Sequence, residues 1–207
     1  VAATTSTTNP GSGHVGVREA QRLQTRARVF DATVAEIGRS GLAGADVAAI
    51  AAAAGVSRGT FYFHFPTKEH VLVELERAEE AGIVAKLQRT EADDLTSLLT
   101  LLVREVLDAE RRLGPVVFRD MLGLHFSATR PVEDELRKHP LAEFLIAAIA
   151  DAQDSGRVSR HADAGELAVI FLTGLFALLA TGGTASPQRD ALLGRYVKTI
   201  AQGIEDR

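Results

Sequence analysis

The stretch Asp46–Lys68, DVAAIAAAAGVSRGTFYFHFPTK, decides how this chain is to be read. Asp46 suits the N-cap of a short helix carrying Val47, Ile50, Ala51 and Ala54, because its side chain can accept from an unpaired N–H of the first turn. Gly55 allows the positive backbone angle of a tight turn. Ser57 then caps a second short helix, from Arg58 to about Phe65. Ala51 is small enough to sit where two helices cross, and Phe61 can point back into the angle between them. The spacing predicts a helix-turn-helix, closed on its third side by an earlier helix bearing Phe30 and Ile37.

On a wheel of about 100° per residue, Phe61 and Phe65 face inward while Gly59 and Phe63 lie nearly opposite. Thr60 and Tyr62 flank that outer face, and Arg58 and His64 edge it. Glycine within a helix costs about 0.5–1 kcal/mol relative to alanine, a cost that close approach of another backbone offsets. A DNA major groove, about 12 Å wide, accepts a helix in this way. Arg58 and Thr60 are then candidates for base edges, Phe63 for a thymine methyl, and Tyr62 and His64 for phosphate. Lys68 opens the following helix, where a cation is mildly unfavourable with the macrodipole; a phosphate partner would explain it, an ordinary solvated lysine being the alternative.

Outward from this motif the pattern is helical. Apolar residues recur at Leu23, Ala27, Phe30, Val34 and Ile37, one face of a first helix that Gly41 stops and on whose end Leu42 can fold back. Further helices are expected at 68–90, 93–112, 116–126, 132–155, 162–182 and 188–204, with Pro140 kinking or splitting the seventh. The expected architecture is all-α: about nine helices, a flexible tail over 1–17, a three-helix unit over 18–65 and a helical body over 66–207.

Composition limits the alternatives. Hydrophobic residues make up 46% of the 207, enough for a real core, and cysteine is absent, so no disulfide or thiolate metal site exists. The net charge is -4, yet residues 18–70 carry seven Lys/Arg against five Asp/Glu, so a mildly basic front precedes an acidic body, as an anionic partner would require. Leu167–Leu179 is strongly apolar, but a helix over 167–182, bounded by Glu166 and Gly182-Gly183, is about 24 Å long, short of the roughly 30 Å hydrocarbon core, and reads as buried; the opening residues lack a secretory pattern, and no membrane partner and a cytoplasmic location are expected. The histidines at 14, 64, 70, 125, 139 and 161 are scattered, which argues against a metal site. Neither a Gly-x-Ser-x-Gly elbow nor a phosphate-binding glycine loop is present, so no cofactor and no enzymatic activity are expected.

Gly55 through Glu69, GVSRGTFYFHFPTKE, preceded by Asp46–Ala51, resembles the tetracycline-repressor (TetR) family of bacterial transcription regulators over about residues 20–75. The resemblance implies a dimeric, all-helical regulator whose front three helices bind operator DNA. By position, Arg58, Gly59, Thr60 and Phe63 would meet bases or their methyls, and Tyr62, His64 and Lys68 phosphates. Phe63 stands where the family more often has Tyr or Trp, and Asp46 where Thr often caps, which puts a phosphate contact from each in doubt. The implied function is repression released by a small hydrophobic effector; an activator or a ligand-independent DNA binder is the alternative, a structural helical bundle or an enzyme a remote one.

The resemblance also implies a pocket and a dimer interface in the body. The pocket candidates are Leu98, Leu101, Leu102, Phe118, Met121, Leu122, His125, Phe144 and Phe171; among them only His125 is ionisable, so an apolar ligand is expected. The homodimer is expected through 162–182 and 188–204, with Leu175 at the interface and Gly174 permitting close approach of the second copy.

Overall fold

Phe61 and Phe65 sit at the centre of the smaller of two apolar clusters, with Val29, Ile50, Ala54 and Val71 around them. The computed structural model describes residues 12–204 apart from 91 and 184, and among these it has nine α-helices and no strand. They are α1 Ser12–Gly44, α2 Val47–Ala53, α3 Arg58–His64, α4 Lys68–Leu87, α5 Leu95–Leu113, α6 Pro115–Gly123, α7 Pro140–Asp154, α8 Ala164–Thr181 and α9 Pro187–Ile204. Single 3-10 turns cover Leu124–Phe126 and Leu136–Lys138.

The caps of the front follow from its residues. Asp46 accepts from the Ala48 N–H at 3.0 Å and Ser57 from the Thr60 N–H at 3.1 Å. Gly55 has φ +65 and Gly41 φ +72, the region a side chain disfavours, so both expected stops are where they were placed. α1 continues beyond Gly41 for one more turn in a new direction.

Four expectations need correction. Ser12 to Val17 are helical, not a tail, because extending an existing helix adds one hydrogen bond for each residue fixed; residues 1–11 of that segment lie outside the described residues. The buried stripe of α1 runs through Val29, Thr33 and Ile37, whereas Leu23 is 53% exposed and Ala27 is also exposed. Thr33 can be buried because its hydroxyl donates to the Val29 carbonyl at 2.7 Å. Ile37 belongs to the larger cluster, that of the body, rather than closing the front unit. Pro140 begins α7 instead of kinking a longer helix, since its missing N–H is no loss at a first helical position.

α1 and α4 are the two elements that join both clusters. Val71 in the first turn of α4 lies in the front cluster, and Leu72 and Leu75 in that of the body. α5 to α9 complete the body, with α8 packed against α6 and α7.

The α8–α9 pair also differs from expectation. Leu175 is fully buried within its own chain, so it cannot be a dimer contact. A Cβ on Gly174 would come within 2.3 Å of the Tyr196 hydroxyl, so this glycine makes room for α9 of the same chain. Tyr196 donates to the Phe171 carbonyl at 2.7 Å, and its ring stacks on Phe171 with centroids 5.5 Å apart. α8 is long and apolar enough to cross a membrane by length and composition, and 39% of it is buried in the chain. Ile170 and Leu192 are the large apolar side chains left exposed on α8 and α9.

Candidate nucleic-acid interface

α3 is a seven-residue helix with one buried residue, Phe61. Phe65 follows it and is also buried, its ring 6.3 Å from that of Phe30 and beneath the Arg26 guanidinium at 4.4 Å. The opposite face is bare: Phe63 is 73% and Tyr62 49% exposed, and Arg58 and Gly59 are exposed beside them. The predicted face of the wheel is therefore the solvent face. A Cβ on Gly59 would meet only the Ser57 hydroxyl at 3.7 Å, an ordinary contact, and its φ is not positive. No internal requirement of the fold accounts for a glycine there.

The remaining candidates are less free. The Thr60 hydroxyl shares a 2.9 Å hydrogen bond with that of Ser57. His64 is half-buried, and burial first, then the charges of Arg22 and Arg26, hold its pKa below the ordinary histidine value. Near neutral pH its ring is an uncharged hydrogen-bonding group. The Lys68 ammonium donates to the carbonyls of Ala45 at 2.9 Å and Ala43 at 3.4 Å, which accounts for a cation at this helix start without a phosphate.

Sequence reasoning passed over the arginines of α1. Arg18, Arg22 and Arg26 recur every four residues, and Arg28 reaches the α2–α3 turn, where it would lie 3.9 Å from a Cβ on Gly55. Arg26 is committed to Glu74 on α4 and Arg22 to Glu19; Arg28 has only a 3.5 Å contact to the Thr25 hydroxyl. The four-residue repeat of arginine, visible in the sequence, was the signal.

The pocket candidates separate into three groups. Phe118, Met121 and Leu122 line a cavity of about 20 Å³ among α4, α5, α6, α7 and α8, too small for an effector in this conformation. Glu76, Glu79 and Glu80 line it too, so the expectation of a lining with no ionisable group but His125 is corrected. Glu76 and Glu80 are buried on the same face of α4 as Leu72, Ile83 and Leu87, so the acids are part of that helix's core face. Leu98 and Phe144 line a separate cleft of about 320 Å³ that includes Asp94, Asp151 and Arg157. Leu102 and Phe171 are fully buried and Leu101 partly buried in the body's core. A groove of about 820 Å³ runs between the end of α1 and the ends of α6 and α8; Leu42, Lys68, Arg119 and Phe126 are among its walls.

His125 adjoins the small cavity. Its Nε2 lies 2.7 Å from Glu76 Oε1, and its ring stacks on Phe176 at 5.0 Å. Burial, and then the charge of Arg130, lower its pKa to about 4. Burial and the nearby Glu80 push the Glu76 carboxyl well above the usual range. His139 is fully buried, its two ring nitrogens 3.1 Å from Glu80 and 2.8 Å from Asp134. Burial works against its charge, but Glu80, Glu76 and Asp134 outweigh it and raise its pKa.

Comparison with known proteins accords with this geometry. Residues 29–75, spanning the buried stripe of α1 through α2, α3 and the first turns of α4, match the family described as "Bacterial regulatory proteins, tetR family". The chain is 40% identical over 72 residues to the HTH-type transcriptional repressor KstR of Mycobacterium tuberculosis, covering 35% of this chain and 32% of that one. It is 33% identical over 111 residues to the HTH-type transcriptional regulator BetI of Paraburkholderia phytofirmans, covering 50% and 52%. The matched stretch thus spans about a third to a half of those relatives' length. Thermus thermophilus FadR, a TetR-family repressor solved with lauroyl-CoA, shares the fold over 86% of this chain and 91% of its own, with a TM-score of 0.68 and 21% identity.

Proposed function

We propose that this chain, whose residues 29–75 match the tetR family of bacterial regulatory proteins, is a ligand-responsive transcriptional repressor of that family, a homodimer that binds operator DNA with α3 and is released by a small hydrophobic effector. The observation that carries this reading is the bare face of α3. A fold that buries Phe61 and Phe65 completely leaves Phe63 73% exposed beside a glycine the fold does not need. That surface sets an apolar ring beside hydrogen-bonding and cationic side chains, the mixture that base-edge and phosphate contacts use. Arg58, Gly59, Thr60 and Phe63 read base edges; Tyr62, His64 and Arg28 meet the phosphates. Lys68 steadies the end of α1 and contributes to the phosphate field from there.

Two elements support the dimer. α8 has an apolar surface that its own chain leaves uncovered, with Ile170 57% exposed, and Leu192 on α9 is 42% exposed. Paired with their copies, these helices bury that surface and set two recognition helices about one turn of DNA apart, roughly 34 Å. The effector site is the core around Phe118, Met121 and Leu122. It is nearly closed, so an effector must part α4 from α6 to enter. Only a ligand that prefers the parted conformer can shift the population and release DNA. A protein acting on operator DNA works in the cytoplasm.

Selection of bound sequences from a random DNA pool tests this reading. The expected result is a two-fold symmetric site, bound by the wild type and lost in Gly59→Leu, which keeps or raises the melting temperature because leucine favours helix by about 0.5–1 kcal/mol over glycine. Full DNA affinity in Gly59→Leu would overturn the α3 interface. Ile170→Glu is expected to sediment as a folded monomer with weakened operator binding; an undiminished dimer would place the interface elsewhere. Hydrophobic acids added to the complex are expected to release DNA from the wild type and not from Phe118→Trp.

A further inference from the structure

Glu76 of α4, His125 of the turn after α6 and His139 at the start of α7 each offer one ligand atom, and these atoms all lie within 4.8 Å of one another. We propose that these three side chains form a binding site for a single divalent transition-metal ion of the zinc class. The proposal is independent of the regulator reading, because it depends on the core of the body alone.

The donor set fits such an ion. Imidazole nitrogen suits zinc, nickel and cobalt, and two histidines with one glutamate form a shell that zinc uses with a further position left for water or another oxygen. The three side chains come from separate parts of the chain and converge in the interior: the His125 side chain is 4% exposed, that of Glu76 3%, and His139 is fully buried. A tetrahedral shell at zinc–nitrogen distances of about 2.0–2.1 Å places ligand atoms about 3.3 Å apart. From within 4.8 Å of one another, the three atoms need to close by at most about 1.5 Å to reach that spacing.

A second observation points to a missing partner. Nδ1 of His125 is buried and makes no hydrogen bond. Buried polar atoms in folded proteins are nearly always paired, by protein or by something bound. A cation on Nδ1 satisfies that atom directly, while Nε2 stays on Glu76.

The surroundings are those of a metal shell. His139 lies between two carboxylates, 3.1 Å from Glu80 and 2.8 Å from Asp134, so one ring nitrogen can turn to the metal while the other stays anchored. Carboxylates in this role orient metal-bound histidines and raise their basicity. Arg77 and Arg130 hold Asp134 from the far side, at 3.0 Å each. Glu76, Glu80 and Asp134 together carry one more negative charge than those two arginines offset, before either histidine is counted. A hydrogen-bonded core with no metal function must bury that excess or protonate it; a dication replaces the protons on Glu76 and His139 as it binds.

The test uses the full chain, stripped of metal and dialysed against cobalt(II) alone, then zinc(II) alone. The expected result is about one ion per chain, a visible cobalt absorption from nitrogen and oxygen ligands, and its loss when zinc is added. His125→Asn, His139→Gln and Glu76→Gln should each weaken cobalt binding by about tenfold or more. Glu79→Gln, on the same helix beside the cluster, should leave it unchanged. Proton NMR of the cobalt-loaded wild type should show two imidazole rings shifted by the ion, which identifies the ligands even if a substituted chain does not fold. No uptake by the folded wild type overturns the proposal. So does uptake that survives loss of either histidine, or a shifted spectrum from other rings.

Discussion

The front and the body of this protein use their interiors differently. The front cluster is apolar: Val29, Ile50, Ala54, Phe61, Phe65 and Val71 fill it, and the one buried hydroxyl, Thr33, is satisfied within its own helix. The body encloses Glu76, Glu80 and His139 among its leucines and phenylalanines, joined by hydrogen bonds that cross from one helix to another. An apolar core of a few large side chains has one good packing and holds a surface in a fixed shape. A core with polar pairs between helices is fixed only while every member is paired, so a proton, ion or ligand that changes one pairing destabilises the arrangement. The rigid unit presents the proposed DNA-reading face; the polar one is where a signal can enter.

Two phenylalanines two residues apart give the sharpest way to break this contrast. Phe61→Ala should cost about 3–5 kcal/mol, as large-to-small changes in tight cores do, which is enough to unfold the front and abolish DNA binding. Phe63→Ala should change thermal stability by no more than about 0.5 kcal/mol while lowering operator affinity. Circular dichroism melts beside DNA titrations check both. A front that tolerates Phe61→Ala would not be the rigid unit described.

A smaller effect is expected where front and body meet. Asp120 on α6 accepts from the Leu42 N–H at 2.5 Å. Asp120→Ala removes that acceptor and should cost about 1–3 kcal/mol, with retained helix content and a lower melting temperature. It should also loosen DNA binding, because the direction of the last turn of α1 is no longer fixed. Operator affinity equal to wild type would show that front and body are held together without this contact.

The front was legible because its determinants are local. Asp46, Gly55, Ser57 and Phe61 act on neighbours within ten residues or so, and helix periodicity sorted the buried face of α3 from the bare one. Gly41 was readable for the same reason. The body was not, because its decisive contacts join distant residues. His125 meets Glu76 across 49 positions and His139 meets Glu80 across 59, so six histidines that look scattered in sequence hide a pair in contact. Leu175 and Gly174 were misassigned because an apolar helix with two covered faces gives no periodic sign of which face a second chain takes; the answer lay in Tyr196, on another helix. Thr33 escaped notice because residue type marks it as polar while its own backbone satisfies the hydroxyl.

The segment 41–45 receives an ammonium from one side and a carboxylate from the other. Lys68 of α4 grips the carbonyls of Ala43 and Ala45, and Asp120 of α6 grips the N–H of Leu42. Both grips act on main-chain atoms just past the positive-φ glycine, the one place where α1 can swivel. Levers of opposite sign on a single pivot work as a couple: if α4 and α6 shift together the pivot is carried along unturned, and if they move apart it must rotate. A change in the spacing between those two helices would therefore load these contacts before any others on α1.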